Sequence, residues 1–103
     1  MTIRVLLVED DPLVAMMLEG YLDVLEHEIV AKQDFDLAIL DVHLAGGKTS
    51  EAVAAALSDA GKAFIATSGD ATIIAAEFDG WPVLRKPFRI AELERAIAAA
   101  ITE

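Results

Sequence analysis

Cysteine is absent from the 103 residues, so the chain has no disulfide framework and no thiol chemistry, as is usual in a reducing cytosol. Basic residues are few: 8 Lys and Arg stand against 18 Asp and Glu, and the formal net charge is −10. Affinity for nucleic acid comes mainly from clustered Lys and Arg that neutralise phosphates. The charge balance therefore argues against nucleic acid as a direct partner.

Long apolar runs are also absent, and none approaches the roughly 18 residues needed to cross a bilayer. The first residues, MTIRVLLVED, end in acids and contain no small-residue cleavage site, so they do not resemble a secretory signal. The hydrophobic share of 55% and the charged share of 25% are typical of a globular protein. We expect one cytoplasmic domain over residues 1–103, with no effector domain and no membrane contact.

The chain does contain short apolar runs of the kind found in buried parallel strands. These runs are Val5 to Val8, Leu37 to Leu40, Ala63 to Ala66, and Val83 with Leu84. Apolar residues at helical spacing lie between the first and second runs, between the second and third runs, and after the last run. Strands that alternate with helices predict an α/β domain with a parallel sheet.

The helix ends carry recognisable signals. Asp11 is the predicted N-cap of a first helix that has Pro12 in its first turn. A second helix is predicted to begin at Thr49 or Ser50 and to stop near Gly61. A last helix is predicted from about Ile90 to Ile101, and a short one of at most two turns is considered within residues 71–80.

Polar residues follow the predicted strands, at the sheet edge where functional sites of such folds lie. Strand by strand they are Glu9, Asp10 and Asp11, then Asp41, then Thr67 and Ser68, and finally Lys86 and Pro87. Neighbouring carboxylates repel unless a cation lies among them, and their oxygens suit a hard ion such as Mg²⁺. A carboxylate can also attack phosphorus, while a metal, a lysine and a hydroxyl compensate the charge. Asp41, Lys86 and Thr67 are available for that chemistry.

Four segments together resemble the receiver domain of bacterial two-component response regulators. In chain order they are VLLVEDDP, LAILDVHL, FIATS and VLRKPF, and they extend over nearly the whole chain. The resemblance implies a CheY-like (flavodoxin-like) doubly wound parallel sheet. It also implies a phosphoacceptor that takes a phosphoryl group from a histidine kinase or phosphotransfer protein and signals through contacts with an unknown downstream protein.

The resemblance also assigns roles to individual residues. The implied Mg²⁺ ligands are Glu9 (directly or through water), Asp10, Asp41 and the backbone carbonyl of His43. Asp41 would accept the phosphoryl group, Thr67 would hydrogen-bond one of its oxygens, and Lys86 would pair with another. The Lys86–Pro87 bond is expected to be cis.

Phe64, Ala66 and Thr67, with the later PVLRKPF, are most similar to the stand-alone receivers nicknamed FAT-GUY. Ser68 stands where that motif has Gly. This similarity implies a sensor kinase of the HWE or a related type as partner.

The chain departs from the receiver pattern between its first helix and the phosphoacceptor strand. Only HEIVAKQDF lies there, about a dozen residues too few for the usual second strand and second helix. We therefore expect the second helix to be missing, and the second strand to be either lost from its sheet or exchanged between two copies. Loss of that strand would expose an apolar edge at RVLLV, which favours a homodimer.

Two alternatives to a working phosphoacceptor are a degenerate receiver and a phosphatase. A degenerate receiver would act as an interaction module for which phosphorylation does not matter, and the shortened region favours this alternative. A phosphatase of the haloacid dehalogenase type would need an acid two residues after its nucleophile, where this chain has His43. We expect no enzyme proper, only Mg²⁺-dependent self-phosphorylation and slow autodephosphorylation.

Overall fold

The computed structural model describes residues 2–9, 11–30, 35–42, 51–69 and 81–101. Within them the strands are β1 (Arg4–Val8), β2 (Glu28–Val30), β3 (Leu37–Asp41), β4 (Ala63–Ser68) and β5 (Val83–Arg85). The helices in the same part of the chain are α1 (Pro12–Val24), α2 (Glu51–Asp59) and α3 (Ile90–Ile101). The strands form one sheet in the order β2-β1-β3-β4-β5, and all neighbours are parallel. The predicted CheY-like α/β fold is confirmed.

Helices cover both faces of the sheet, so the central strand β3 is buried along its whole length, whereas Glu28 and Ile29 of the edge strand β2 are exposed. On one face α1 and α3 pack over alternate strand residues, in a core that includes Val5, Leu18, Leu22, Leu37, Ile39, Ile65, Leu93 and Ile97. On the other face α2 packs over the intervening residues, in a core that comprises Ala38, Leu40, Val42, Ala54, Phe64 and Ala66. The ring of Trp81 contacts this second core, with its centroid 5.4 Å from that of Phe64.

The helix ends follow their sequence signals. Asp11 caps α1, because its Oδ1 accepts a hydrogen bond of 2.9 Å from the amide of Leu13. Gly61 follows α2 with a φ of 73°, a backbone conformation that favours glycine. Both predictions are confirmed, as are the bounds of α3. The predicted start of α2 at Thr49 or Ser50, and the short helix considered within residues 71–80, lie outside the described residues.

The second strand is present in its own sheet, so the expectation that it is lost or exchanged is wrong. β2 pairs with β1 in parallel, with Leu6 opposite Val30, and β1 is therefore not an edge. The physical reason is the shortness of β2. Val30 leaves the sheet at the level of Leu6, and Leu37 enters it at the level of Val5. The chain need only cross β1, and a segment of the length of residues 31–36 is long enough to span that distance.

The end of this short connection is fastened to the beginning of β1. The Asp36 amide donates to the Arg4 carbonyl at 2.8 Å, and the Arg4 amide donates to Asp36 Oδ2 at 2.8 Å. The Arg4 guanidinium lies 3.4 Å from Asp36 Oδ1. Hydrogen bonds from the Arg4 backbone and side chain lower the pKa of Asp36 below its ordinary 3.8. These bonds set the register in which β3 joins β1.

Candidate functional site

The strand register brings four of the predicted site residues to one edge and one face of the sheet. Val8 is paired with Leu40, so Glu9 and Asp41 follow at the same level of neighbouring strands. Asp41 is in turn paired with Thr67. Leu84 is paired with Thr67, and Lys86 lies two residues beyond it on the same face. The carboxyl ends of four neighbouring strands thus carry two acids, a hydroxyl and an ammonium.

Lys86 bridges the two acids. Its Nζ lies 3.0 Å from Glu9 Oε1 and 3.2 Å from Asp41 Oδ1. The exposed fractions of the side chains are 1% for Glu9, 9% for Asp41 and 21% for Lys86, so water screens these contacts little. Burial by itself lowers the pKa of Lys86, but the bonds to Glu9 and Asp41 outweigh it and raise that pKa above 10.5. The ammonium is therefore charged at neutral pH.

Glu9 is held tightly but is not fully paired. Its Oε2 accepts a hydrogen bond of 3.1 Å from the Asp11 amide. Its Oε1 is buried, and the contact of 3.0 Å with the Lys86 ammonium is its ion pair within the described residues. Burial raises the pKa of Glu9 above 4.5, and contact with Asp41 raises it further, despite the lowering by the Asp11 amide and Lys86.

The two carboxylates of the site are suited to a divalent cation. Two buried carboxylates converge on one positive charge, and a buried Glu9 oxygen lacks a hydrogen bond. Hard carboxylate oxygens of this kind suit Mg²⁺. The residues present fit the metal. The described residues contain no group of three or more potential metal-ligating side chains, and the other two predicted ligands, Asp10 and His43, lie outside them.

Thr67 is buried beside Asp41. Its hydroxyl donates to the carbonyl of Leu40 at 3.4 Å, and its own carbonyl accepts from the amide of Val42 at 2.9 Å. The second bond fixes the backbone of the chain as it leaves β3. The hydroxyl contact is long, so a rotation about one side-chain bond would free it for another acceptor.

The backbone of Lys86 is also fixed. Its amide donates to the Ser68 carbonyl at 2.8 Å, which extends the β4–β5 pairing by one bond. The Lys86–Pro87 peptide bond is cis, as predicted. Phe88 is buried in the first core, and its carbonyl accepts a hydrogen bond of 3.3 Å from the Tyr21 hydroxyl. The sequence analysis did not identify Tyr21 as a residue of the site. The one hint in the sequence is that a residue with a hydroxyl lies among the apolar residues of α1.

The chain resembles solved structures in both sequence and fold. No family model matches the chain, and no curated protein matches it. The chain is similar to the solution structure of SdrG from Sphingomonas melonis Fr1, with 36% identity, 97% of each chain covered and a TM-score of 0.80. It is also similar to the BeF3-activated conformation of SdrG from Pseudomonas melonis Fr1, with 38% identity over 95% of each chain and a TM-score of 0.77.

Two more distant structures show the fold alone. The response regulator receiver domain (CheY-like) from Methylobacillus flagellatus is 20% identical, with 97% of this chain and 99% of that chain covered and a TM-score of 0.79. The receiver domain of sensor histidine kinase PA1611 from Pseudomonas aeruginosa PAO1 is 21% identical, with 100% of each chain covered and a TM-score of 0.82. Its structure has a magnesium ion coordinated in the active site cleft. In the described part of this chain, no helix is long and apolar enough to cross a membrane.

Proposed function

Because this chain belongs to the receiver domain family of response regulators, we propose that it accepts a phosphoryl group on Asp41 in a Mg²⁺-dependent step. The donor is a histidine kinase or a phosphotransfer protein. The observation that carries the proposal is the Lys86 ammonium between two buried carboxylates, 3.0 Å from Glu9 and 3.2 Å from Asp41. Such an arrangement suits transfer of an anionic group, because the cation is already in place.

In the proposed reaction, a carboxylate oxygen of Asp41 forms a bond to phosphorus. The bond between phosphorus and the donor's histidine nitrogen breaks, and the electron pair leaves with that nitrogen. Lys86 moves its charge from Asp41 to a phosphoryl oxygen, and the Thr67 hydroxyl turns from the Leu40 carbonyl to another. Burial of Asp41 keeps competing water away from the new acyl phosphate.

The proposed metal ligands are Glu9, Asp10, Asp41 and the backbone carbonyl of His43. Bound there, Mg²⁺ would supply positive charge to the transferred oxygens. Glu9 supports this role because its Oε1 is buried, accepts no hydrogen bond within the described residues and already lies 3.0 Å from a positive charge. A second cation near this oxygen would favour the ionised carboxylate that metal binding requires.

Signalling is proposed to occur in the cytoplasm through contacts with an unknown downstream protein, with a kinase of the HWE type as donor. The homodimer stays a prediction. The reason given for it, an exposed β1 edge, no longer holds because β2 covers β1. Light scattering across a concentration series tests it, and a monomer at every concentration would exclude it.

The proposed chemistry is a single self-phosphorylation with slow hydrolysis, not enzymatic turnover. The test is intact mass of the purified protein after incubation with a small-molecule phosphodonor, with and without Mg²⁺. Asp41→Asn is the test variant, and Asp59→Asn, at the exposed end of α2, is the matched control. We expect one phosphoryl group with Mg²⁺ in the wild type and the control, and none in Asp41→Asn.

The opposite result has a defined meaning. If the wild type gains no mass while circular dichroism shows a folded protein, the proposal is wrong. The degenerate interaction module then becomes the better description, and binding of a partner irrespective of phosphorylation would be its own test.

A further inference from the structure

Helix α1 contacts both sides of the Glu9–Lys86 ion pair. At its N-cap, the Asp11 amide donates to Glu9 Oε2 at 3.1 Å. In its last two turns, the Tyr21 hydroxyl donates to the Phe88 carbonyl at 3.3 Å. Phe88 lies two residues after Lys86. One rigid element therefore touches the segment of each partner in the ion pair.

The segment that carries Lys86 is held at two points. Before the cis bond, the Lys86 amide donates to the Ser68 carbonyl at 2.8 Å. After it, Phe88 is 3% exposed, and its ring meets the Tyr21 ring at a centroid distance of 6.4 Å and an angle of 62°. β4 thus fixes one end of the segment, and α1 fixes the other.

The Phe88 carbonyl is available to Tyr21 because of the way α3 begins. The amides of Glu92 and Leu93 both donate to the Arg89 carbonyl, each at 3.1 Å, and Glu92 Oε1 accepts from the Arg89 amide at 3.0 Å. The Arg89 carbonyl thus serves the first turn of α3, which begins at Ile90, and Phe88 lies before the helix. The phenol of Tyr21 supplies the Phe88 carbonyl with a donor from another element.

We propose that Tyr21 is a positioning residue for Lys86: its hydroxyl anchors the Phe88 carbonyl and so sets where the Lys86 ammonium lies relative to Asp41. The proposal rests on the proposed function, because it concerns the residue that stabilises the transferred phosphoryl group. Charge stabilisation depends on placement to within about 0.5 Å, so one lost anchor has a measurable effect on rate. Tyr21 does not touch the reacting atoms.

The experiment compares Tyr21→Phe, Lys86→Ala and the double variant with the wild type. Tyr21→Phe keeps the ring contact with Phe88 and removes only the hydroxyl. One hydrogen bond is worth about a fivefold change in an equilibrium or rate, so we expect the initial rate of Asp41 phosphorylation to fall about fivefold. In the Lys86→Ala background, the same substitution should have no effect, because the residue it positions is gone.

Two further measurements separate positioning from general loss of stability. The Mg²⁺ dissociation constant, measured by calorimetry, should be the same in Tyr21→Phe and the wild type, because the contact of α1 with Glu9 is untouched. Hydrogen exchange of the Lys86 amide should speed up about fivefold in Tyr21→Phe. Met17→Leu is the control, since Met17 packs against the same core from the same helix and the swap conserves volume.

The outcomes distinguish the two proposals. An equal loss of rate from Tyr21→Phe in both backgrounds, or no loss in the wild-type background, would overturn the role of Tyr21. If the wild type is never phosphorylated, the proposed function fails. Hydrogen exchange of the Lys86 amide then tests by itself whether Tyr21 positions the Lys86 segment. An exchange rate in Tyr21→Phe equal to that of Met17→Leu would overturn it.

Discussion

Removal of the Lys86 charge should destabilise the metal-free protein strongly, because it leaves two buried acids without a cation. Lys86→Met keeps the aliphatic stem and removes the ammonium. The lost contacts are those of 3.0 Å to Glu9 and 3.2 Å to Asp41. With an effective dielectric constant of ~20, Coulomb's law assigns about 5 kcal/mol to each contact before desolvation is subtracted.

The net effect is smaller than that sum, because the buried ammonium also loses its hydration and Glu9 can take up a proton. Loss of one partner from a buried ion pair costs about 3–5 kcal/mol. Since the pKa of Glu9 is already raised by burial, protonation relieves part of the repulsion, and we expect about 3 kcal/mol. For a domain of this size, that loss corresponds to a fall in Tm of roughly 12 °C.

The assay is urea unfolding of wild type and Lys86→Met without metal, at about pH 7.5 and about pH 5. A carboxyl whose pKa is higher in the folded state than in the unfolded state binds its proton preferentially when folded. The contribution of this carboxyl to stability is therefore full below its pKa in the unfolded state and is lost as the pH rises through its higher pKa in the folded state. The deficit of Lys86→Met should consequently be smaller at the lower pH. Arg85→Met, which removes a charge from the neighbouring exposed residue, is the control.

Saturating Mg²⁺ provides the second half of the test. A divalent cation bound by the same carboxylates replaces the lost ammonium, so Mg²⁺ should stabilise Lys86→Met more than it stabilises the wild type. The reasoning is refuted if metal-free Lys86→Met is as stable as the wild type. It is also refuted if the deficit does not shrink at the lower pH.

Three other predictions concern stability. Asp36→Ala should lower the urea midpoint at neutral pH, and the difference from wild type should vanish in acid as pH falls through the lowered pKa of Asp36, because the bonds from Arg4 need the ionised carboxylate. His27→Ala should cost about 1 kcal/mol in urea unfolding, since His27 Nδ1 accepts from the Ile3 amide at 3.2 Å, and recovery in His27→Asn would attribute the loss to that acceptor. Trp81→Ala should cost about 3 kcal/mol in the same assay, because its ring packs 5.4 Å from that of Phe64, and a loss below that of Trp81→Phe would contradict this packing role.

The connection between β2 and β3 is shorter than the usual crossover between parallel strands. Parallel strands usually need a crossover of a dozen or more residues. Here β2 is only three residues long, so its last residue lies within about one residue of the level at which β3 begins. The bonds between Asp36 and Arg4 then fix the point where β3 begins. The short β2 and the bonds between Asp36 and Arg4 together allow a short connection to join the two strands.

Local signals in the sequence were enough to determine most elements and the site residues on them. The apolar runs and the acids, hydroxyl and lysine that end them placed Asp41, Thr67 and Lys86 at one edge of a parallel sheet. Caps such as Asp11 and stops such as Gly61 depend on a few adjacent residues and were therefore readable. Length alone showed that the second helix had no room.

Only the tertiary structure decided the contacts between distant segments. It retained β2 in the sheet because the register of two strand pairs, not the length of the connection, fixes how far the chain must travel. It also joined Glu9 to Lys86, and Tyr21 to Phe88 across 67 positions of the sequence. The first pairing follows from the register of the strands and the second from the packing of α1 on the sheet, and no local pattern of residues records either.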